Sequence, residues 1–196
     1  MAAQLPLAGI DARTAAKTDR LFFALRPDAA AIARIERLIG QLRQDFGLEG
    51  KALGAARFHV TLRLLGDFPS FPQEVADAAR AAAQPLTAIP AFKLGFDRVG
   101  TIVRRPRNMP LVLLGEEGVI SVKAFHASLD KAMERVGLGS TGRSQYTPHL
   151  TLLYDDRFVA PCPIEAINWT AHEFVLVRSL LGRGRHEVVA RWGLHP

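Results

Sequence analysis

Phe58-His59-Val60-Thr61-Leu62-Arg63-Leu64-Leu65-Gly66-Asp67 and Pro148-His149-Leu150-Thr151-Leu152-Leu153-Tyr154-Asp155 are two copies of one short pattern. Each reads His-x-Thr-Leu inside an apolar run, and the two histidines stand 90 residues apart. Side chains alternate between the faces of a strand, so His and Thr at i and i+2 project the same way. Two such strands facing each other gather two imidazoles and two hydroxyls around one cavity. Histidine titrates near neutral pH, so one ring can accept a proton while the other donates one. The hydroxyls of Thr61 and Thr151 can donate to non-bridging phosphate oxygens, where charge must be stabilised. That is equipment for acid-base chemistry on a phosphate ester, and the scheme requires no metal.

Working outward, Arg20-Leu21-Phe22-Phe23-Ala24-Leu25 reads as a buried strand that ends at Pro27. Asp28 is placed to cap a helix in which Ile32, Ile35, Leu38, Ile39 and Leu42 recur at helical spacing, stopping near Gly47. The first motif strand is expected over residues 57–65 and a second helix over 72–83. Strands are expected over 92–103, with a turn near Gly100, and over 111–114. A third helix over 119–136 carries Val122, Phe125, Leu129 and Met133 on one stripe. The second motif strand covers 145–154. Strands over 169–180 and 188–192 follow, joined by a turn at 182–185.

This order predicts an α+β fold rather than a strict βαβ array. Each half holds a helix preceding a motif strand. Two similar lobes with a pseudo-twofold relation and a central cleft are therefore expected, with antiparallel sheets lining the cleft and helices outside. Residues 1–19 show no clear periodicity and no charged segment followed by a continuous apolar run, so they read as a mobile leader. Residues 20–196 read as a single bilobal domain.

Composition narrows the setting. The chain has 196 residues, 48% of them hydrophobic and 22% charged, enough for a sizeable core. A net charge of +6 favours anionic partners such as RNA or nucleotides. Cys162 is the only cysteine, which excludes an internal disulfide and a cysteine-based zinc motif and fits a reducing cytoplasm. No apolar run approaches the ~20 residues of a membrane span, so no membrane association is expected.

The two motifs together resemble those of the 2H phosphoesterase superfamily, and within it the LigT-like RNA 2′,3′-cyclic phosphodiesterases, also called 2′-5′ RNA ligases. Further likeness lies in Arg20–Leu25, in Leu65-Gly66-Asp67, in Asn168-Trp169 and Glu173-Phe174, and in the tail from Gly182 to Trp192. The resemblance spans residues 20 to 194. It implies hydrolysis of terminal 2′,3′-cyclic phosphate to a 2′-phosphate without metal or nucleotide cofactor, and 2′-5′ ligase activity in vitro. By position it makes His59 the proton donor to the departing 3′ oxygen, His149 the acceptor that activates water, and Thr61 and Thr151 the phosphate holders. Many relatives carry arginine where this chain has Tyr154, and tyrosine near the position of His186.

Arg63 shares strand parity with His59 and Thr61, which makes it, with Tyr154, a candidate substrate contact. Arg104, Arg105 and Arg107 form a basic run able to guide an RNA backbone, although such runs are more often solvated loops. Core positions are expected for Phe22 and Phe23, and a loop position for Cys162. Structural or surface roles are expected for His126, His172 and His195. The alternatives are a binding module of the same fold without turnover, a phosphodiesterase for another small cyclic nucleotide, and a metal site built on His59, His149 and His186. The last leaves the repeated threonine without a role. A monomer is expected, with no protein partner implied, because one chain supplies both histidines.

Overall fold

The computed structural model describes residues 16–103, 105–139 and 145–195. The expected leader lies largely outside them. Within them the chain is already tied down at Thr18, whose backbone N–H donates to the Phe68 carbonyl at 2.9 Å. β1 begins at Asp19, one residue before the strand expected from Arg20.

Eight strands and three α-helices follow: β1 (Asp19–Leu25), α1 (Ala29–Phe46), β2 (Val60–Phe68), α2 (Gln73–Ala83), β3 (Phe92–Thr101), β4 (Met109–Leu114), α3 (Ile120–Arg135), β5 (His149–Asp155), β6 (Cys162–Ala171), β7 (Glu173–Leu180) and β8 (Arg185–Gly193). Asp28 caps α1 by accepting the Ala31 N–H at 2.8 Å. Gly47 ends it in the left-handed conformation, with φ of 60°. The buried stripe of α1 is Ala31, Ile35, Ile39 and Leu42. That of α3 includes Val122, Phe125, Leu129 and Met133, as the helical spacing predicts.

The strands form one antiparallel sheet in the order β6-β3-β4-β5-β2-β1-β7-β8. It divides into two four-stranded halves, with the motif strands β2 and β5 innermost. A single registered pair, Val60 with Leu150, joins the halves. One half is inserted within the sequence of the other. After β2 the chain crosses to build β3, β4, β5 and β6 as one half, and after β6 it returns to place β7 beside β1. One half is therefore the continuous segment β3–β6, and the other joins β1 and β2 to β7 and β8.

One face of the sheet packs under the helices, burying Leu21, Phe23, Leu25, Val60, Leu62, Leu150 and Leu152. Phe23, Phe174 and Trp192 pack as rings within this core, with Phe174 and Trp192 stacked 5.0 Å apart. A smaller apolar group of Phe22, Ala24, Val175 and Val177 occupies the opposite face.

Three expectations need correction. The strand expected over 169–180 is two strands, β6 and β7, with His172 between them. Cys162 is the first residue of β6 and pairs with Val99 rather than sitting in a loop. Pro163 is tolerated there because β6 is an edge strand, where a missing N–H need not break a ladder. No turn interrupts β3 at Gly100, which pairs with Val112.

The chain approaching β2 is latched to the end of β5. Asp155 accepts the backbone N–H groups of Glu49 at 2.8 Å, Gly50 at 2.6 Å and Arg157 at 2.8 Å. Gly50 must be glycine, since a Cβ there would lie 1.9 Å from the Tyr154 carbonyl oxygen. Burial pushes the Asp155 carboxyl up, but the N–H groups of Arg157, Gly50 and Glu49 outweigh it and hold the group below its ordinary value. A depressed carboxyl stabilises the fold above its unfolded value, and that contribution is lost as pH falls through the folded value. Asp155→Ala should therefore lower the unfolding free energy by about 2–4 kcal/mol near neutral pH, with the gap to wild type narrowing below about pH 4. Urea denaturation across pH reads both, and a neutral-pH loss under about 0.5 kcal/mol would remove Asp155 from this role.

Candidate active site

The motif strands carry the same irregularity. β1 pairs Ala24 with Thr61 and Phe23 with Arg63, so Leu62 is an extra residue in β2. β4 pairs Val112 with Thr151 and Leu111 with Leu153, so Leu152 is the extra residue in β5. Both bulges fall immediately after the His-x-Thr and reset strand parity at the same point. His59, Thr61, His149 and Thr151 keep the face opposite Val60 and Leu150, away from the helices. The antiparallel pairing of Val60 with Leu150 sets Thr61 across from His149 and Thr151 across from His59.

Both imidazoles are tethered in one way. His59 Nδ1 lies 2.7 Å from the Arg57 carbonyl oxygen, and His149 Nδ1 lies 2.8 Å from that of Thr147. A carbonyl only accepts, so each Nδ1 carries the hydrogen, and Nε2 is the accepting atom of each neutral ring. The two histidines are near enough for the charge of one to bear on the other. Sequence alone hid these tethers, because a backbone carbonyl two residues upstream comes with any residue type.

His59 does not stand alone on its side. The first bulge leaves Phe22 on the open face, where its ring centroid is 5.0 Å from that of His59. The core position expected for Phe22 is found in the smaller apolar group of this face, and that of Phe23 under the helices. His186 of β8 meets His59 edge-on at 5.2 Å and Phe22 at 5.6 Å. Burial, then the charges of His59, Arg57 and Arg26, pushes His186 down to about 4. Burial is also the main reason His59 lies below its ordinary value, helped by His149, Arg57 and Arg26 and opposed by the Arg57 carbonyl.

Arg63 does not reach the cleft. The bulge at Leu62 turns its side chain to the helix-covered face, where it is buried, pairs with Asp130 of α3 and donates to the Leu138 carbonyl at 2.7 Å. Alternation from His59 predicts the opposite face because it assumes a regular strand. Asp130 also lies 3.6 Å from His126, which stacks on Tyr146 with centroids 3.8 Å apart. The Tyr146 hydroxyl donates to the Thr61 carbonyl at 2.9 Å, bracing the first motif from the segment that leads into the second. Tyr154 is half-buried, pairs with Pro110 and bears electrostatically on Arg20, which is bonded to Asp67. Arg104 lies outside the described residues, while Arg105 and Arg107 are exposed.

The profile of the 2′-5′ RNA ligase superfamily matches residues 27–182. The chain belongs to that superfamily. As a 2′-5′ RNA ligase superfamily member it is a 2H phosphoesterase, an enzyme of phosphodiesterase or ligase kind. A crystal structure described as a phosphoesterase superposes with a TM-score of 0.74 at 24% identity, over 92% of this chain and all (100%) of that one. E. coli LigT superposes in its apo form with a TM-score of 0.69 at 25% identity. In complex with 3′-AMP the same protein gives 0.67 at 26%, and both LigT structures cover 92% of this chain and 100% of their own. No curated protein matches. Among the described residues of this superfamily member, no group of three His, Cys, Asp or Glu side chains is gathered to hold a metal ion. No helix among them is long and apolar enough to cross a membrane.

Imidazoles with lowered proton affinity oppose acid. The unfolded chain binds their protons near the ordinary value of 6.5 while the folded chain resists, so stability falls as pH drops below about 6.5. In an NMR titration of the ring protons, His59 should titrate below 6.5 and His186 near 4. A His186 midpoint at or above 6.5 would contradict the buried, neutral ring.

Proposed function

We propose that this protein opens 2′,3′-cyclic phosphates at RNA ends to give 2′-phosphates. One observation carries the reading: two twofold-related histidines, each with Nδ1 held by a carbonyl and each opposite the other motif's threonine. An in-line displacement at phosphorus needs a base on one side and an acid on the other. His149 Nε2 accepts a proton from the attacking water as the new P–O bond forms. His59 Nε2 gives its proton to O3′ as the P–O3′ bond breaks. Thr61 and Thr151 donate to the non-bridging oxygens. The net change is addition of one water, and the histidines exchange protonation states that solvent then restores.

The environment of His59 suits a donor. A ring with lowered proton affinity is a strong acid once protonated, and an anionic phosphodiester beside it favours that protonation. Tyr154, on the open face where many relatives carry arginine, offers a ring to a base and adds no charge. E. coli LigT, which shares the fold, has been crystallised with 3′-AMP, consistent with a nucleotide in this cleft.

The test is hydrolysis, in EDTA, of an RNA oligonucleotide ending in a 2′,3′-cyclic phosphate, with the product isomer identified. A 2′-phosphate is expected. His59→Ala and His149→Ala should each lose about 10²–10⁴-fold in kcat while remaining folded. Residual activity of His59→Ala should lack the alkaline limb of the pH profile, and that of His149→Ala the acid limb. Binding of the RNA without turnover would instead favour a binding module, and the opposite pairing of limbs would exchange the two roles.

A further inference from the structure

Two arginines beside His59 are left unused by this chemistry. Arg26 directly follows the last β1–β2 pair, Leu25 with Val60, and so lies next to His59. Arg57 is two residues upstream, and its carbonyl holds His59 Nδ1. Their charges converge on His59 and on His186. A small cavity of about 110 Å³ lies among Arg26, His59, His186 and the apolar side chains Phe58, Val177 and Val188.

Neither guanidinium has a carboxylate or hydrogen-bond partner among the described residues. By contrast Arg20, Arg34, Arg63, Arg178 and Arg191 each meet an aspartate or glutamate. Arg57 Nε is buried with no partner at all. The turn between β7 and β8 closes over it, and a Cβ at Gly184 would lie 3.7 Å from its Nη1. Two like charges gathered without a counter-ion against apolar walls are unfavourable unless an anion joins them.

The geometry assigns Arg26 and Arg57 to a second anion subsite, beside the catalytic phosphate, that takes the phosphate on O5′ of the terminal nucleotide. This rests on the proposed reading, in which His59 faces the ribose O3′. The next phosphate toward the 5′ end is one ribose away from that oxygen, on the His59 side of the site. Two planar guanidinium forks suit a phosphate, which accepts bidentate hydrogen bonds from each. The subsite thus favours an RNA end, or a nucleotide with a 5′-phosphate, over a nucleoside cyclic phosphate that lacks one.

Calorimetric titration of the full chain with 3′-AMP and with adenosine 3′,5′-bisphosphate tests this without turnover, since the ligands differ only in the 5′-phosphate. The bisphosphate should bind on the order of tenfold tighter, as one or two charge-assisted hydrogen bonds allow. Arg26→Gln and Arg57→Gln should each bring the two affinities together, whereas Arg26→Lys should keep most of the difference. Equal affinities in wild type, no binding of either ligand at millimolar concentration, or a preference that survives both glutamine variants would overturn the subsite. Hydrolysis of an RNA oligonucleotide ending in a 2′,3′-cyclic phosphate, run in parallel, separates the two ideas. Its absence together with a preserved bisphosphate preference sinks the catalytic reading and leaves the subsite standing.

Discussion

Everything in the cleft depends on the pairing of Val60 with Leu150. It is the one registered backbone contact between the two halves of the sheet, and both residues are fully buried under the helices. Because side chains alternate, burying these two apolar residues on one face delivers the flanking His and Thr of each strand to the other. A slip of one residue would put valine and leucine in the cleft and the imidazoles in the core. The hydrophobic effect therefore fixes the register, and the register fixes the chemistry.

Around that pair the two strands solve the same local problem twice. Each bears a bulge after its threonine and each tethers its imidazole to a carbonyl two residues upstream. His59 is enclosed by Phe22 and His186, and its proton affinity falls with burial. In the proposed reaction the duplicated backbone presents both imidazoles alike, and the buried surroundings of His59 make it a strong donor once protonated.

Much of this was legible in the residues. The repeated His-x-Thr gives the site, Asp28 and Gly47 bracket α1, and the stripe from Val122 to Met133 marks the buried face of α3. What alternation misjudged is Arg63, since nothing in Leu62-Arg63-Leu64 announces a bulge and the pull comes from Asp130 on a distant helix. The proline-flanked Cys162 looked like a loop because the edge position that tolerates Pro163 is a property of the whole sheet. The role of Phe22 was likewise hidden, because its neighbour His186 comes from the last strand. Contacts made across long sequence separations leave little trace in a local pattern.

The insertion of β3–β6 between β2 and β7 bears on how the chain reaches this state. Ala24 pairs with Val175, and Phe174 packs on both Phe23 and Phe125. A growing polypeptide holding β1 and β2 therefore has an open hydrogen-bonding edge on β1 until β7, more than 100 residues after β2, has left the ribosome. Loop-closure entropy must be overcome before those late contacts reward it, which makes for slow, cooperative folding. Until then the exposed edge of Leu21-Phe22-Phe23-Ala24 is a template for pairing with another chain. The half completed last thus also makes this protein dependent, during synthesis, on whatever keeps a nascent β-edge solitary.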